Sequence, residues 1–250
     1  MDYVKGIFKK RPNRFIAEVD VNGQIEIAHV PNTGRCKELL VENSIVWLKP
    51  SDNPNRKTKF SLHFVENRGY LVSIYSQEAN SIVYDAIING QIKELSGYDY
   101  HQREKTIDNS RIDIYLANEV DDCCGTTFLE EPCFVEVKGV TLVVDKEARF
   151  PDAPTERGTK HLKELIKLKK EGFRTVVFFL VQHPLGEFFR PNWENDSLFS
   201  KTLNEAYENG VEILVYKCDN SLNGIKLIPE PLGFDLSEFW EYFSNSIIYN

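Results

Sequence analysis

Over the first 80 residues apolar and polar positions alternate in short runs, at 14–21, 24–29, 44–49, 61–66 and 70–75. Successive side chains of a strand point to opposite faces, so a period of two predicts half-buried β-strands. The runs are separated by Asn22-Gly23, Pro31-Asn32-Thr33-Gly34, Ser51-Asp52-Asn53-Pro54-Asn55 and Asn67-Arg68-Gly69, all turn-forming in composition. This pattern fits a small closed barrel of the OB type, with an SH3-like barrel as the competing architecture. Glu38-Leu39-Leu40 is expected to add one helical turn.

From about residue 80 the periodicity changes. Residues 82–88 predict a helix, with Asn80 or Ser81 as its N-cap and Gly90 near its end. Strand texture follows at Ile112-Asp113-Ile114-Tyr115-Leu116 and Cys133-Phe134-Val135-Glu136-Val137-Lys138, and continues over 140–144. Residues 155–171 give the clearest helix, with Leu162, Leu165, Ile166 and Leu168 at helical spacing and Gly172 as the stop. The uniformly apolar run 175–182 predicts a buried central strand. A helix over 197–208 and a strand over 211–217 complete the body. In the tail, Asp235 is expected to cap a helix carrying an apolar stripe of Leu236, Phe239, Trp240 and Phe243. That stripe is read as packing on the body, with a partner-binding or homodimer contact as the alternative. The fold class is therefore α+β or α/β. An OB-like barrel is expected over 1–80, a mixed sheet flanked by helices over 81–230, and a C-terminal amphipathic helix over 231–250.

Composition narrows the function classes. No run of 18 apolar residues occurs, and Met1-Asp2-Tyr3-Val4-Lys5 opens no signal peptide, so a cytoplasmic protein without a membrane span is the expectation. The five cysteines (Cys36, Cys123, Cys124, Cys133 and Cys218) include no Cys-x-x-Cys pair, and their odd number favours reduced structural thiols over zinc or a disulfide framework. Net charge is −8, but residues 1–82 carry +3 and residues 83–250 carry −11. Such asymmetry points to a nucleic-acid-facing first part. Lys5, Lys9, Lys10, Arg11 and Arg14 form one basic cluster, and Arg56, Lys57 and Lys59 a second.

The candidate chemistry lies in the second part. On an ideal strand Glu136 and Lys138 share one face, with Val135 and Val137 on the other. Asp113 is expected on the face of its own strand opposite Ile112, Ile114 and Leu116. If the two strands pair, two carboxylates and an ammonium converge, the minimum needed for metal-assisted phosphodiester hydrolysis. The same residues also suit an ordinary solvated sheet face.

Five strings occur together: Val30-Pro31-Asn32-Thr33-Gly34-Arg35, Ser51-Asp52-Asn53-Pro54, Asn109-Ser110-Arg111-Ile112-Asp113, Val135-Glu136-Val137-Lys138, and the stretch from Phe150-Pro151-Asp152 to Lys160-His161-Leu162. In this order and spacing, over roughly residues 1–230, the chain resembles the sugar fermentation stimulation protein family of bacteria and archaea. The resemblance implies an OB-like domain, a PD-(D/E)xK restriction-endonuclease-like domain, association with DNA and a link to regulation of sugar-utilisation genes. It places Asp113, Glu136 and Lys138 at the catalytic positions, with Asp113 and Glu136 on Mg2+ or Mn2+. Asp85 falls where such nucleases usually carry a first-helix Glu. Nucleic acid is the expected partner, DNA ahead of RNA. Its expected contacts are Lys9, Lys10, Arg11, Arg35, Arg56, Lys57 and, at the opening of the 155–171 helix, Arg157 and Lys160. His161 is expected as a hydrogen-bonding support, and Gly158 as a point of close approach by a ligand or another backbone. A non-catalytic DNA-binding regulator that retains the nuclease fold is the alternative function.

Overall fold

The computed structural model describes residues 3–238 except 33, 54, 108–109 and 122–125. Strands β1 (Val4–Asn13), β2 (Ile16–Val21), β3 (Gln24–His29), β4 (Ile45–Pro50), β5 (Phe60–Asn67) and β6 (Tyr70–Ser73) form the first sheet, in the order β3-β2-β1-β4-β5-β6. A parallel pairing of β3 with β5 through Ala28–Phe60 and His29–Ser61 closes five of these strands into a barrel, so only β6 stands outside the closure. Alternation holds the barrel together: Phe8, Ala17, Val19, Ala28, Val46, Leu48, Leu62 and Val65 point inward as one apolar core.

Strand β1 corrects the sequence reading, in which the first strand of the 1–80 barrel began at residue 14. Its Lys9-Lys10-Arg11-Pro12 segment has few apolar residues, and tertiary pairing with β2 and β4 overrides that weak local signal. Residues 36–40 close a turn, with the amides of Leu39 and Leu40 both donating to Cys36 O, and add no helix.

Helix α1 (Ser76–Ile88) begins a turn earlier than Asn80 or Ser81, behind Tyr75. Next come β7 (Tyr100–Ile107), which the sequence did not suggest, β8 (Ser110–Asp121) and β9 (Thr127–Val140). Two short strands, β10 (Leu142–Val144) and β11 (Glu147–Phe150), lead to helix α2 (Glu156–Lys170). The chain finishes with β12 (Arg174–Val181), β13 (Phe188–Pro191), helix α3 (Ser197–Glu208), β14 (Glu212–Ser221), β15 (Gly224–Pro231) and β16 (Gly233–Phe234). The main sheet runs β15-β14-β12-β9-β8-β7, parallel through β9, β12 and β14 and antiparallel at both edges. A small sheet, β10-β11-β13-β16, lies beside it.

Strand β12 is buried throughout, as its apolar run requires. One apolar cluster packs α1 on the main sheet, and another packs α2 and α3 on the opposite face. Residue 231 does not open a helix: β16 joins the small sheet, Asp235 pairs with Arg190 at 2.9 Å, and Leu236 is buried in the α2-side core. Phe239, Trp240 and Phe243 lie outside the described residues, as do Cys123 and Cys124. Cys36, Cys133 and Cys218 are buried free thiols. Among the described residues no helix is long and apolar enough to cross a membrane.

Candidate active site

The β8–β9 ladder has its last pair at Ile114–Val135, one residue short of Asp113 and Glu136. There strict alternation also breaks. Ile112 packs in the α2-side core, whereas Ile114 and Leu116 pack on the α1 side. Asp113 sits at this switch, where the two strands part. Its Oδ2 accepts the Val137 amide at 2.8 Å, and its Oδ1 accepts Asn80 Nδ2 from α1 at 2.7 Å. A carboxylate at the strand divergence thus satisfies a backbone donor and is oriented by it.

Strand β9 directs Glu136 and Lys138 to the α2 side, as period two requires. Glu136 is 1% exposed. Its Oε1 accepts Lys138 Nζ at 2.5 Å and is bonded by His161 Nδ1. His161 Nε2 accepts Arg157 Nε at 3.4 Å. That contact fixes the ring tautomer with the proton on Nδ1, so His161 donates to Glu136. Glu136 Oε2 is buried and has no hydrogen-bond partner.

The two carboxylates are held at different affinities for protons. Burial first, then the charge of Glu136, pushes Asp113 up to about 6, against the pull of Lys138, the Val137 amide and Asn80. Burial acts on Glu136 as well, but the Lys138 ammonium and the His161 hydrogen bond outweigh it and hold Glu136 below the usual carboxylate range.

Helix α2 owes its position to caps. Thr155 Oγ1 accepts the Gly158 amide at 3.0 Å, and Asp196 accepts the Thr155 amide at 2.8 Å while capping α3 through Phe199 N. A Cβ on Gly158 would crowd the Thr155 side chain and the Phe199 ring, so this glycine serves the α2–α3 contact rather than a ligand.

In front of Lys138 lies a cleft of about 340 Å³ between the barrel and the second domain. The barrel lines it with Arg14, Asn32 and Gly34, and the second domain with Asn80, Lys138, Arg149 and residues 150–155.

Several expected site residues lie elsewhere. Asp85 is solvent-exposed on α1, and its place beside Asp113 is taken by Asn80, five residues earlier and so about 140° away around the helix. Arg11 is a structural clamp: its guanidinium donates to the carbonyls of Gly34, Arg35, Arg14 and Asn32 at 2.7–2.8 Å. Lys10 pairs with Glu18 at 3.3 Å, and Lys9 bonds Asn43. Lys160 points away from Glu136 and pairs with Glu164 at 3.6 Å, because one residue of helix turns it about 100° from His161. Arg35, Arg56 and Lys57 are exposed, whereas Arg157, though exposed, stays at the site through its bond to His161. Sequence reasoning took Asn80 only as a cap and passed over Arg149 and Asp152. No local spacing marks Asn80, whose carboxylate partner lies on β8, or Asp152, whose partner is the Cys36 amide of the barrel.

Residues 10–74 match the SfsA N-terminal OB domain family, and residues 77–224 match the sugar fermentation stimulation protein RE domain family. A sugar fermentation stimulation protein homolog of Methanobrevibacter smithii is 75% identical over 237 residues, covering 95% of this chain and 99% of that protein. One from Thermoanaerobacter sp. is 48% identical, covering 90% and 94%. The structure of Pyrococcus furiosus SfsA in complex with Ca2+ superposes with a TM-score of 0.82 at 30% identity, covering 94% of this chain and 96% of that one. With both of its domains matched and its relatives aligned nearly end to end, the chain belongs to the sugar fermentation stimulation protein family.

Proposed function

We propose that this protein is a cation-dependent phosphodiesterase acting on nucleic acid, DNA ahead of RNA, at Asp113, Glu136 and Lys138. The observation that carries the reading is the buried, unpartnered Glu136 Oε2 beside the half-buried carboxylate of Asp113. An orphaned anionic oxygen in a desolvated site is costly unless something positive meets it. Oxygen donors without thiolate, and with the one imidazole already committed to Glu136, suit Mg2+ or Mn2+. Among the described residues no three carboxylate, imidazole or thiolate groups converge, so Asp113 and Glu136 Oε2 would hold the ion and water or substrate oxygens would complete its shell. When bound, such an ion supplies charge to a phosphate and lowers the pKa of a water. The relative from Pyrococcus furiosus was solved with Ca2+, a cation of the same oxygen-seeking class.

The chain's own residues do the rest. Lys138 is 14% exposed and opens on the cleft, where its ammonium can follow charge that develops on a phosphate oxygen. His161 keeps the Glu136 carboxylate in one orientation, and Asn80 does the same for Asp113. The test is incubation of purified protein with labelled single- and double-stranded DNA and RNA in Mg2+, Mn2+ or EDTA. Cleavage that requires the cation is expected. Intact substrates under every condition would refute the reading.

A second reading, a nucleic-acid-binding regulator without turnover, is favoured by one feature. The first helix presents Asn80 where an acid is expected, and Asp85 faces solvent. Binding without cleavage in the same experiment would establish it.

A further inference from the structure

The cleft in front of Lys138 has walls that cannot separate easily. Asn32 Nδ2 donates to Ile74 O at 3.0 Å, and Ser76 Oγ donates to Pro31 O at 2.8 Å. The Cys36 amide donates across the domain boundary to Asp152 Oδ2 at 3.1 Å. Arg11 ties the carbonyls of Asn32, Gly34 and Arg35 into one rigid barrel-side wall. The walls already meet at Gly34, where a Cβ would collide with the Asp152 carboxylate. Between them about 340 Å³ is free, the size of a small-molecule site. A space of that volume matches a single nucleotide unit better than a base-paired duplex.

The chemistry of the walls agrees. Arg14 from the barrel and Arg149 from β11 of the second domain both line the cleft. Arg14 is exposed, its guanidinium over the Phe15 ring at 4.8 Å. Arg149 is held by Glu147 at 2.9 Å, and Arg190 bridges Glu147 and Asp235, so within this neutral network the Arg149 guanidinium is oriented rather than left free. Arg14, Lys138 and Arg149 line one cleft, as a phosphate track of one strand requires.

We infer that this cleft takes a single polynucleotide strand, with Arg14 and Arg149 as phosphate contacts on its two walls. Duplex ends enter only after fraying. The identity of the ligand rests on the phosphodiesterase reading, but strand preference is a property of binding and is measurable without turnover.

The experiment is fluorescence anisotropy in EDTA with a labelled DNA strand of about 15 nucleotides and its matched blunt duplex. The wild-type protein is expected to bind the single strand at least about tenfold more tightly. Arg14→Gln/Arg149→Gln, with its melting curve as the fold control, should lose at least about tenfold for the single strand and less for the duplex. If Arg149 proves necessary for folding, Arg14→Gln alone should lose part of the same affinity. Equal or tighter duplex binding overturns the inference, as does wild-type affinity in a folded arginine variant. A parallel incubation with Mn2+ separates the two claims. Strand-selective binding without cleavage removes the phosphodiesterase reading and leaves this inference standing, whereas cleavage with no strand preference does the reverse.

Discussion

The barrel and the α/β domain use charge in opposite ways. In the barrel, Arg11 gives its guanidinium to four backbone carbonyls, and Lys10 and Lys59 meet Glu18 and Glu26 in largely exposed pairs. Arg11 Nε is buried without a partner, but the other nitrogens of its guanidinium make four hydrogen bonds within the barrel. In the α/β domain, Asp113 and Glu136 are withdrawn from water, pushed apart in proton affinity, and one oxygen is left unpartnered. Part of the basic excess of the first 82 residues, read as facing nucleic acid, is taken up by pairs within the barrel itself. Burial against a specific partner, not formal charge, distinguishes a site from a surface.

The sharpest test of this contrast exchanges the fates of two cations. Lys138→Ala should lower turnover by about 10²–10³-fold, the usual cost of one preorganised charge, while nucleic-acid affinity changes little. Arg11→Ala should do the opposite. Losing four hydrogen bonds costs about 2–4 kcal/mol of stability, with turnover retained at temperatures where the protein is folded. Thermal melts and steady-state rates on both variants check the pair. Equal loss of binding and turnover in Lys138→Ala would reduce that lysine to a phosphate contact.

The next effect concerns how the buried carboxylate is held. His161→Phe keeps the ring volume and removes the donor to Glu136, whereas His161→Asn keeps an N–H at nearly the Nδ1 position. Groups that orient a metal ligand typically account for 10–100-fold in affinity. Titration calorimetry with Mn2+ should show a loss of about that size in His161→Phe and substantial recovery in His161→Asn. Identical affinities in the two variants would make His161 a packing residue only.

How much of this could be read beforehand follows from the range of each signal. Period-two alternation at 24–29 and 61–66 marked barrel strands, and helical spacing of Leu162, Leu165, Ile166 and Leu168 marked α2, because both are local and repeat. Strand β1 was missed because its pairing partners, β2 and β4, supply what Lys9-Lys10-Arg11-Pro12 lacks. Glu136 and Lys138 were legible from i, i+2 spacing. Asn80 was not, because its partner lies 33 residues away and its role depends on where β8 and β9 diverge. Arg11 was misread for the same reason, since three of its four acceptors, on Asn32, Gly34 and Arg35, are brought within reach only by the folded barrel.

Proton linkage sharpens the contrast further. Asp113 is raised from 3.8 to about 6 in the folded protein. Between those values the folded state binds more protons than the unfolded one, so stability falls as pH rises through this window and stays lower above it. Glu136 works in the other direction, and its contribution is lost as pH falls below the ordinary carboxylate range. Without added cation, Asp113→Asn should therefore melt about 2–4 °C above wild type at neutral pH, with the gap closing below about pH 4. Mn2+ affinity of the wild type should rise as pH passes through about 6 and then level off, since the ion competes with a proton on Asp113. Melting curves that stay parallel across the range would place Asp113 in water.

The smallest effect discriminates between two basic surfaces on the barrel itself. Arg56 and Lys57 lie exposed on the β4–β5 loop, whereas Arg14 faces the cleft with Arg149. Each phosphate contact releases about one counterion, so its removal lowers the slope of log affinity against log salt by about one. If one strand runs through the cleft, Arg14→Gln/Arg149→Gln should flatten the slope by about two and Arg56→Gln/Lys57→Gln by close to none. If nucleic acid instead wraps the barrel, the second pair should carry the change. Because the slope counts contacts rather than measuring their strength, the answer survives modest differences in stability among the variants. It also separates a barrel that grips nucleic acid through its own loops from one whose main part is to form one wall of the cleft opened by Lys138.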